Sequence, residues 1–351
     1  MTSLTETAFY ARRSIKWLIL AIVGYIVLKI CWTILFSVWL TFFPPKPPPP
    51  TTAFGKLPTV KFPVPQASPS GELIFRLDTI SGSVPRASES GTVYFMPKNP
   101  ANLLALNKAQ VLANRFDLDP TPLQENKNIY RFSDPSFPLR RLRYDIVSNN
   151  FILRYSFELD TGLFAEREIP NSESAIAEAK SLLQTYGLYK EDFAQGRTAV
   201  SYLKLSGSRL VKTSSLSQAD GIRIDFFRKN IQEMQVLSPS PEEAPISFIY
   251  SGSRNQAKRL LQVAYTYWPI DYQTLATYPL KSSTMAWQEL QSGGGYIARY
   301  PRSGREAVIR TLYLAYYDSF EPQMYLQPIF VFEGDNGFMA YVPAVSPEWV
   351  E

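Results

Sequence analysis

The sequence predicts an α+β protein with a single transmembrane helix near the amino end, followed by tandem units in which one helix covers an antiparallel sheet. Three observations predict it. Residues 17–43 form one apolar run with a single charge, and residues 44–70 are dense in proline. Beyond residue 70 a helical apolar stripe recurs three times, each time among stretches with strand character. The resulting division is a tail over 1–16, a helix over 17–43, a proline-rich linker over 44–70, and α+β units over 71–165, 166–240 and 241–351.

The run from Trp17 to Phe43 spans 27 residues and carries only Lys29. About 20 apolar residues cross the ~30 Å hydrocarbon core, so the run has the length and apolarity expected of a span. Trp17 at one end and Trp39, Phe42 and Phe43 at the other suit the interfacial belts. Arg12, Arg13 and Lys16 precede the run, which predicts a cytoplasmic amino terminus and a body outside the cytoplasm. Lys29 near its middle costs energy in lipid, which an acidic or polar group on a partner helix would offset. It is therefore a candidate partner-binding residue. Cys31 reads as a small apolar residue. The prolines that follow, PPKPPPP and then positions 58, 63, 65 and 69, favour an extended polyproline spacer.

The three helices begin near residues 103, 172 and 282. Their stripes are Ala109, Leu112, Ala113, Phe116; then Ala179, Leu182, Leu183, Tyr186; then Ser283, Ala286, Trp287, Leu290. Asn171 or Ser172 can cap the second and Ser282 or Ser283 the third. Gly187 and Gly293-Gly294-Gly295 stand where helices end. The predicted strands are 91–96, 128–133, 139–147, 151–159, 199–211, 221–228, 246–250, 259–268, 306–318, 324–333 and 338–342. Gly334-Asp335-Asn336-Gly337 joins the last two as a hairpin, because Asn-Gly adopts positive φ readily.

Composition narrows the chemistry. The chain has 351 residues, no histidine and one cysteine. No Ser-His-Asp or Cys-His arrangement can be built, nor a zinc site that needs His or clustered Cys, nor an intramolecular disulfide. The net charge of +5 falls as +2 on residues 1–16, +1 on 17–43 and +2 on 44–351. A body so nearly neutral lacks the concentrated basic face of a nucleic-acid binder. No nucleic acid, metal or cofactor is expected.

Other conspicuous groups read as structural. The triple glycine follows a helix, whereas phosphate cradles precede one. Asp318 with Glu321, and Glu333 with Asp335, sit at turn signals and not as a catalytic carboxylate pair. Trp287 and one of Tyr316-Tyr317 belong in the core, since neighbours on a strand point to opposite faces. Arg299–Arg305 reads as a solvated basic hairpin tip. The richest aromatic stretch, Tyr265–Tyr272, supplies the candidate partner surface through Tyr265, Tyr267, Trp268 and Tyr272.

At the carboxy end a helix with Ala286-Trp287 and Leu290 is followed by strands carrying Ala315-Tyr316-Tyr317, Leu326-Gln327-Pro328 and Val342-Pro343-Ala344. This order resembles the carboxy-terminal region of the YycH/YycI-type regulators, and the overall layout is similar to theirs. The resemblance implies PepSY-like units outside the cytoplasm of a Gram-positive bacterium, acting on a membrane sensor kinase without catalytic residues. The long proline segment and the middle of the chain depart from that pattern. The expected function is therefore that of a non-enzymatic accessory or regulatory protein of the cell envelope, meeting the lipid bilayer and an envelope protein partner. The alternatives are a structural component of an envelope or secretion assembly, and a hydrolase built from Asp, Glu, Ser and Lys.

Overall fold

The computed structural model describes residues 17–18, 21–37, 49–64, 71–100 and 102–351. The chain divides into two compact units, Met1–Pro49 and Pro50–Glu351. In the first, residues 17–18 and 21–37 are helical and exposed, Lys29 among them. The expected transmembrane helix over 17–43, and with it the single-pass arrangement, is corrected here. Among the described residues no helix is long and apolar enough to cross a membrane. The continuous described helical stretch is α1 (21–37). Residues 1–16, 19–20 and 38–43 of the expected tail and span lie outside the described residues.

The second unit overturns the α+β expectation with its tandem helix-and-sheet units. It is mostly sheet, with two large sheets and 17 strands among the described residues. Its helices are few: α2 (Ala105–Arg115), α3 (Ser172–Thr185), α6 (Ser283–Gln291) and the single turns α4 (Glu191–Ala194) and α5 (Gln256–Arg259). One sheet contains β1 (Ile74–Leu77), β2 (Ser90–Phe95), β10 (Val236–Leu237), β13 (Asp271–Pro279), β14 (Tyr296–Arg299), β15 (Glu306–Tyr317), β16 (Tyr325–Gly334) and β17 (Met339–Pro343). The other contains β3 (Leu123–Gln124), β4 (Ile129–Ser133), β5 (Arg140–Asp145), β6 (Phe151–Tyr155), β7 (Thr198–Ser206), β8 (Arg209–Thr213), β9 (Gly221–Phe226), β11 (Ile246–Ser251) and β12 (Leu260–Tyr265). The nine-stranded sheet is thus drawn wholly from residues 123–265. The eight-stranded one joins strands from both sides of that stretch with β10 from within it.

Pairing across such distances explains why units laid end to end do not form. β2 pairs antiparallel with β13, Gly91 opposite Tyr278, and β1 runs parallel to β15, Ile74 opposite Glu306. Alternation along a strand fixes which residues face inward but carries no information on which strand lies beside it.

Each sheet is covered by helix stripes of small residues. Ala109, Ala113, Ala175, Ala179 and Leu183 of α2 and α3 pack on Phe132, Leu153, Ile224, Phe248 and Val263 of the nine-stranded sheet. The alanines let the helix axes approach the strands closely. Ala286 and Leu290 of α6 pack with Phe330, Phe332 and Val342 of the other. Asn171 caps α3 by accepting from the Ser174 N–H. The triple glycine closes α6, the Gly294 N–H donating to the Glu289 carbonyl and that of Gly293 to Leu290.

Part of the proline-rich segment lies on the body. Leu57 is fully buried and bridges in parallel to Val350, its N–H donating to the Trp349 carbonyl at 2.8 Å. The Glu351 N–H donates in turn to the Leu57 carbonyl at 2.9 Å. The chain entering the body is therefore stitched to the carboxy-terminal residues.

Candidate binding cleft and buried charge junction

A cleft of about 520 Å³ opens on the helix-covered side of the nine-stranded sheet. One wall is α2, whose buried stripe faces the sheet. The spacing of Lys108, Val111 and Arg115 places a second stripe toward the cleft. The end of α3 forms a second wall. There Gly187 takes φ +69°, a left-handed conformation that an L side chain adopts only with strain. The Leu188 N–H returns to the Leu183 carbonyl at 2.8 Å, and the chain turns so that Gly187, Leu188 and Lys190 line the opening. The remaining wall comes from Tyr144, Ser148 and Asn149 around the β5–β6 turn, and from Tyr265, Tyr267 and Pro269 at and beyond the end of β12.

Hydrogen bonds hold these walls. Tyr144 donates to Asn149 Oδ1 at 3.0 Å, Tyr186 to the Arg115 carbonyl at 2.8 Å, and Tyr265 to the Leu188 carbonyl at 3.2 Å. The Tyr267 N–H donates to Asn150 Oδ1 at 2.8 Å. Burial, helped by the nearby Asp145 carboxylate, pushes the Tyr144 phenol up to about 12, and burial raises Tyr265 and Tyr267 as well. The phenols remain neutral at physiological pH. The cleft lining contains three cations, Lys108, Arg115 and Lys190, and no carboxylate.

Behind Tyr267 lies a cluster of the opposite character. Arg228 is 4% exposed and stands two residues beyond the end of β9. Its Nε donates to Asp318 Oδ2 and its Nη1 to Asp192 Oδ2, both at 2.6 Å, and its Nη2 donates to the Trp268 carbonyl. The guanidinium carbon lies 5.0 Å from the Tyr267 ring centre and 5.3 Å from that of Phe193. Tyr272 donates to Asp192 Oδ1 at 3.0 Å. Gly196 lets α4 reach this strand, since a Cβ there would stand 1.8 Å from the Phe227 carbonyl oxygen. Asp192 belongs to α4, beside the nine-stranded sheet, and Asp318 follows β15 of the eight-stranded one, so Arg228 ties the two sheets together. Burial raises the Asp318 carboxyl, opposed by Arg228, and Asp318 Oδ1 has no hydrogen-bond partner. Burial also works against the Arg228 charge, but Asp318 and Asp192 outweigh it.

The candidate residues from the aromatic stretch therefore divide. Tyr265 is buried and lines the cleft, Tyr267 stands between cleft and Arg228, and Trp268 and Tyr272 hold the junction. Lys29 lies in α1, its carbonyl accepting from the Thr33 hydroxyl. Lys108, Arg115, Lys190, Asp192 and Arg228 were not singled out by sequence reasoning. The exposed stripe Leu104, Lys108, Val111 and Arg115, at i, i+4, i+7 and i+11, was the available signal for the first two, because it repeats at helical spacing beside the buried one.

No protein-family model matches the chain, and no curated protein matches it. Among solved structures, a crystal structure of an uncharacterized protein from Eubacterium rectale ATCC 33656 is similar over 75% of this chain and 86% of its own, at 14% identity and a TM-score of 0.40. A likeness of that extent carries no argument about fold or function.

Proposed function

We propose that the protein is a non-catalytic binding protein that acts on another protein by holding it at the cleft between α2, the end of α3 and the end of β12. One observation supports this reading above the others. A concave site of binding-site size has walls fixed by internal hydrogen bonds, while Val111 at its edge remains 46% exposed. The lining offers no carboxylate for acid–base chemistry. An accessory role toward an envelope partner, with the body outside the cytoplasm, is what the carboxy-terminal resemblance adds to this proposal.

The test places a photoreactive p-benzoylphenylalanine at Val111 of the full chain in its native cells, with a second probe at Leu216, an exposed residue outside the cleft lining. The reading expects a discrete protein adduct from position 111 that position 216 does not give. No adduct at 111, or the same adducts from both positions, overturns it.

A further inference from the structure

Several charged side chains of the nine-stranded sheet and its helices are neutralised in pairs: Arg143 with Glu125 at 2.8 Å, Arg259 with Glu178 at 2.9 Å, and Lys258 with Asp160 at 2.7 Å. The cleft cations are not. Among the described residues Lys108, Arg115 and Lys190 form no salt bridge. Lys190 donates to the Gly187 carbonyl at 3.2 Å, and the Arg115 guanidinium carbon lies 5.6 Å from the Tyr186 ring centre. Three like charges thus line one cleft between neutral phenols, with no carboxylate in the lining itself. Such an arrangement repels itself and attracts an anion, and the low-dielectric walls strengthen both effects.

We infer that the occupant of this cleft is an acidic segment of a partner protein, carrying Asp or Glu beside an apolar residue. The inference rests on the cleft-binding reading and names the chemistry of its ligand. Charge complementarity fixes the acidic character. The exposed Val111 and Leu104 on the same face of α2 supply an apolar contact that a small inorganic anion would not use. Tyr144 and Tyr265 do not form a stacking platform for single-stranded nucleic acid, because both are buried and each already stacks on Phe151. Tyr144 stacks on Phe151 at an interplanar angle of 10°, and Phe151 on Tyr265 at 13°.

The experiment measures binding of a fluorescein-labelled peptide of alternating Glu with Leu and Phe to the full-length protein. A peptide with Gln in place of Glu and an oligothymidylate serve as comparators. The expected result is saturable binding of the acidic peptide that weakens with added salt and falls about tenfold or more in K108E/K190E, but is unchanged in the distant surface variant R209E. Thermal midpoints of the variants equal to wild type establish that folding is intact. Equal binding of the Gln peptide, tighter binding of the oligonucleotide, or no binding at all overturns the inference. The two proposals fail separately. An adduct from Val111 that persists in K108E/R115E/K190E sinks the acidic ligand and leaves the cleft as the contact site, whereas absence of any adduct in the parent chain sinks the contact site itself.

Discussion

Two cationic regions of this protein are built on opposite terms. At the junction one arginine is buried against two carboxylates, and every donor it directs there meets an oxygen or an aromatic face. At the cleft three cations face an opening with no carboxylate beside them. A buried charge must be paired, because leaving it unpaired costs several kcal/mol. An exposed cation without a partner costs little and stays available. The contrast separates a group that holds the two sheets together from groups held ready for something outside the chain. Tyr267 stands between them, one ring shared by both.

The largest effect is expected at the junction. Arg228→Met keeps the volume and strands Asp192 and Asp318 without their partner, so unfolding by denaturant should show a loss of about 3–5 kcal/mol. A loss below about 1 kcal/mol would remove the distinction between the two regions. The pH dependence sharpens it. Asp318 is raised above its ordinary value of 3.8, first by burial, and Asp192 adds to this while Arg228 opposes it. A carboxyl whose folded pKa is raised contributes stability below the unfolded value and loses it as pH rises through the folded one. Wild type should therefore lose stability relative to Asp318→Asn as pH is raised from about 4, the two curves converging in acid. A variant that instead becomes less stable than wild type as pH is raised would mean that Asp318 is a plain ion-pair partner with a lowered pKa.

A middle effect is expected from Asn171→Ala, which removes the α3 cap far from the cleft and should cost about 1 kcal/mol with peptide binding unchanged. The smallest is expected at the cleft, where Lys108→Ala should change stability by no more than about 0.5 kcal/mol while weakening capture of the acidic peptide.

The helix ends were the most legible part of the sequence, because they rest on local chemistry. Asn171 beside the 179/182/183 stripe, and Gly187 after it, mark where α3 starts and turns. The sheets were not legible in the same way. Gly91 opposite Tyr278 and Ile74 opposite Glu306 are pairings between distant segments, and nothing within either segment names its partner. Three stripes therefore read as three tandem units, although the second unit is mostly sheet, in two sheets. The expected span over 17–43 was read from its length, apolarity and flanking residues, while among the described residues no helix is long and apolar enough to cross a membrane. The aromatic stretch drew notice by composition, but composition does not report depth. Tyr265 is 4% exposed, and its neighbours serve the buried arginine as much as the surface. Arg228 itself gave no warning, since a lone arginine after an apolar strand is ordinary until its two carboxylates are brought from residues 192 and 318.

The central claim is that Lys108, Arg115 and Lys190 are kept without a carboxylate partner for the sake of binding and contribute little to the fold. It is tested most directly by measuring denaturant unfolding of the K108A/R115A/K190A variant alongside its capture of the acidic peptide. The account predicts a midpoint equal to wild type with capture abolished. A lowered midpoint, or capture that survives the loss of all three charges, would contradict it.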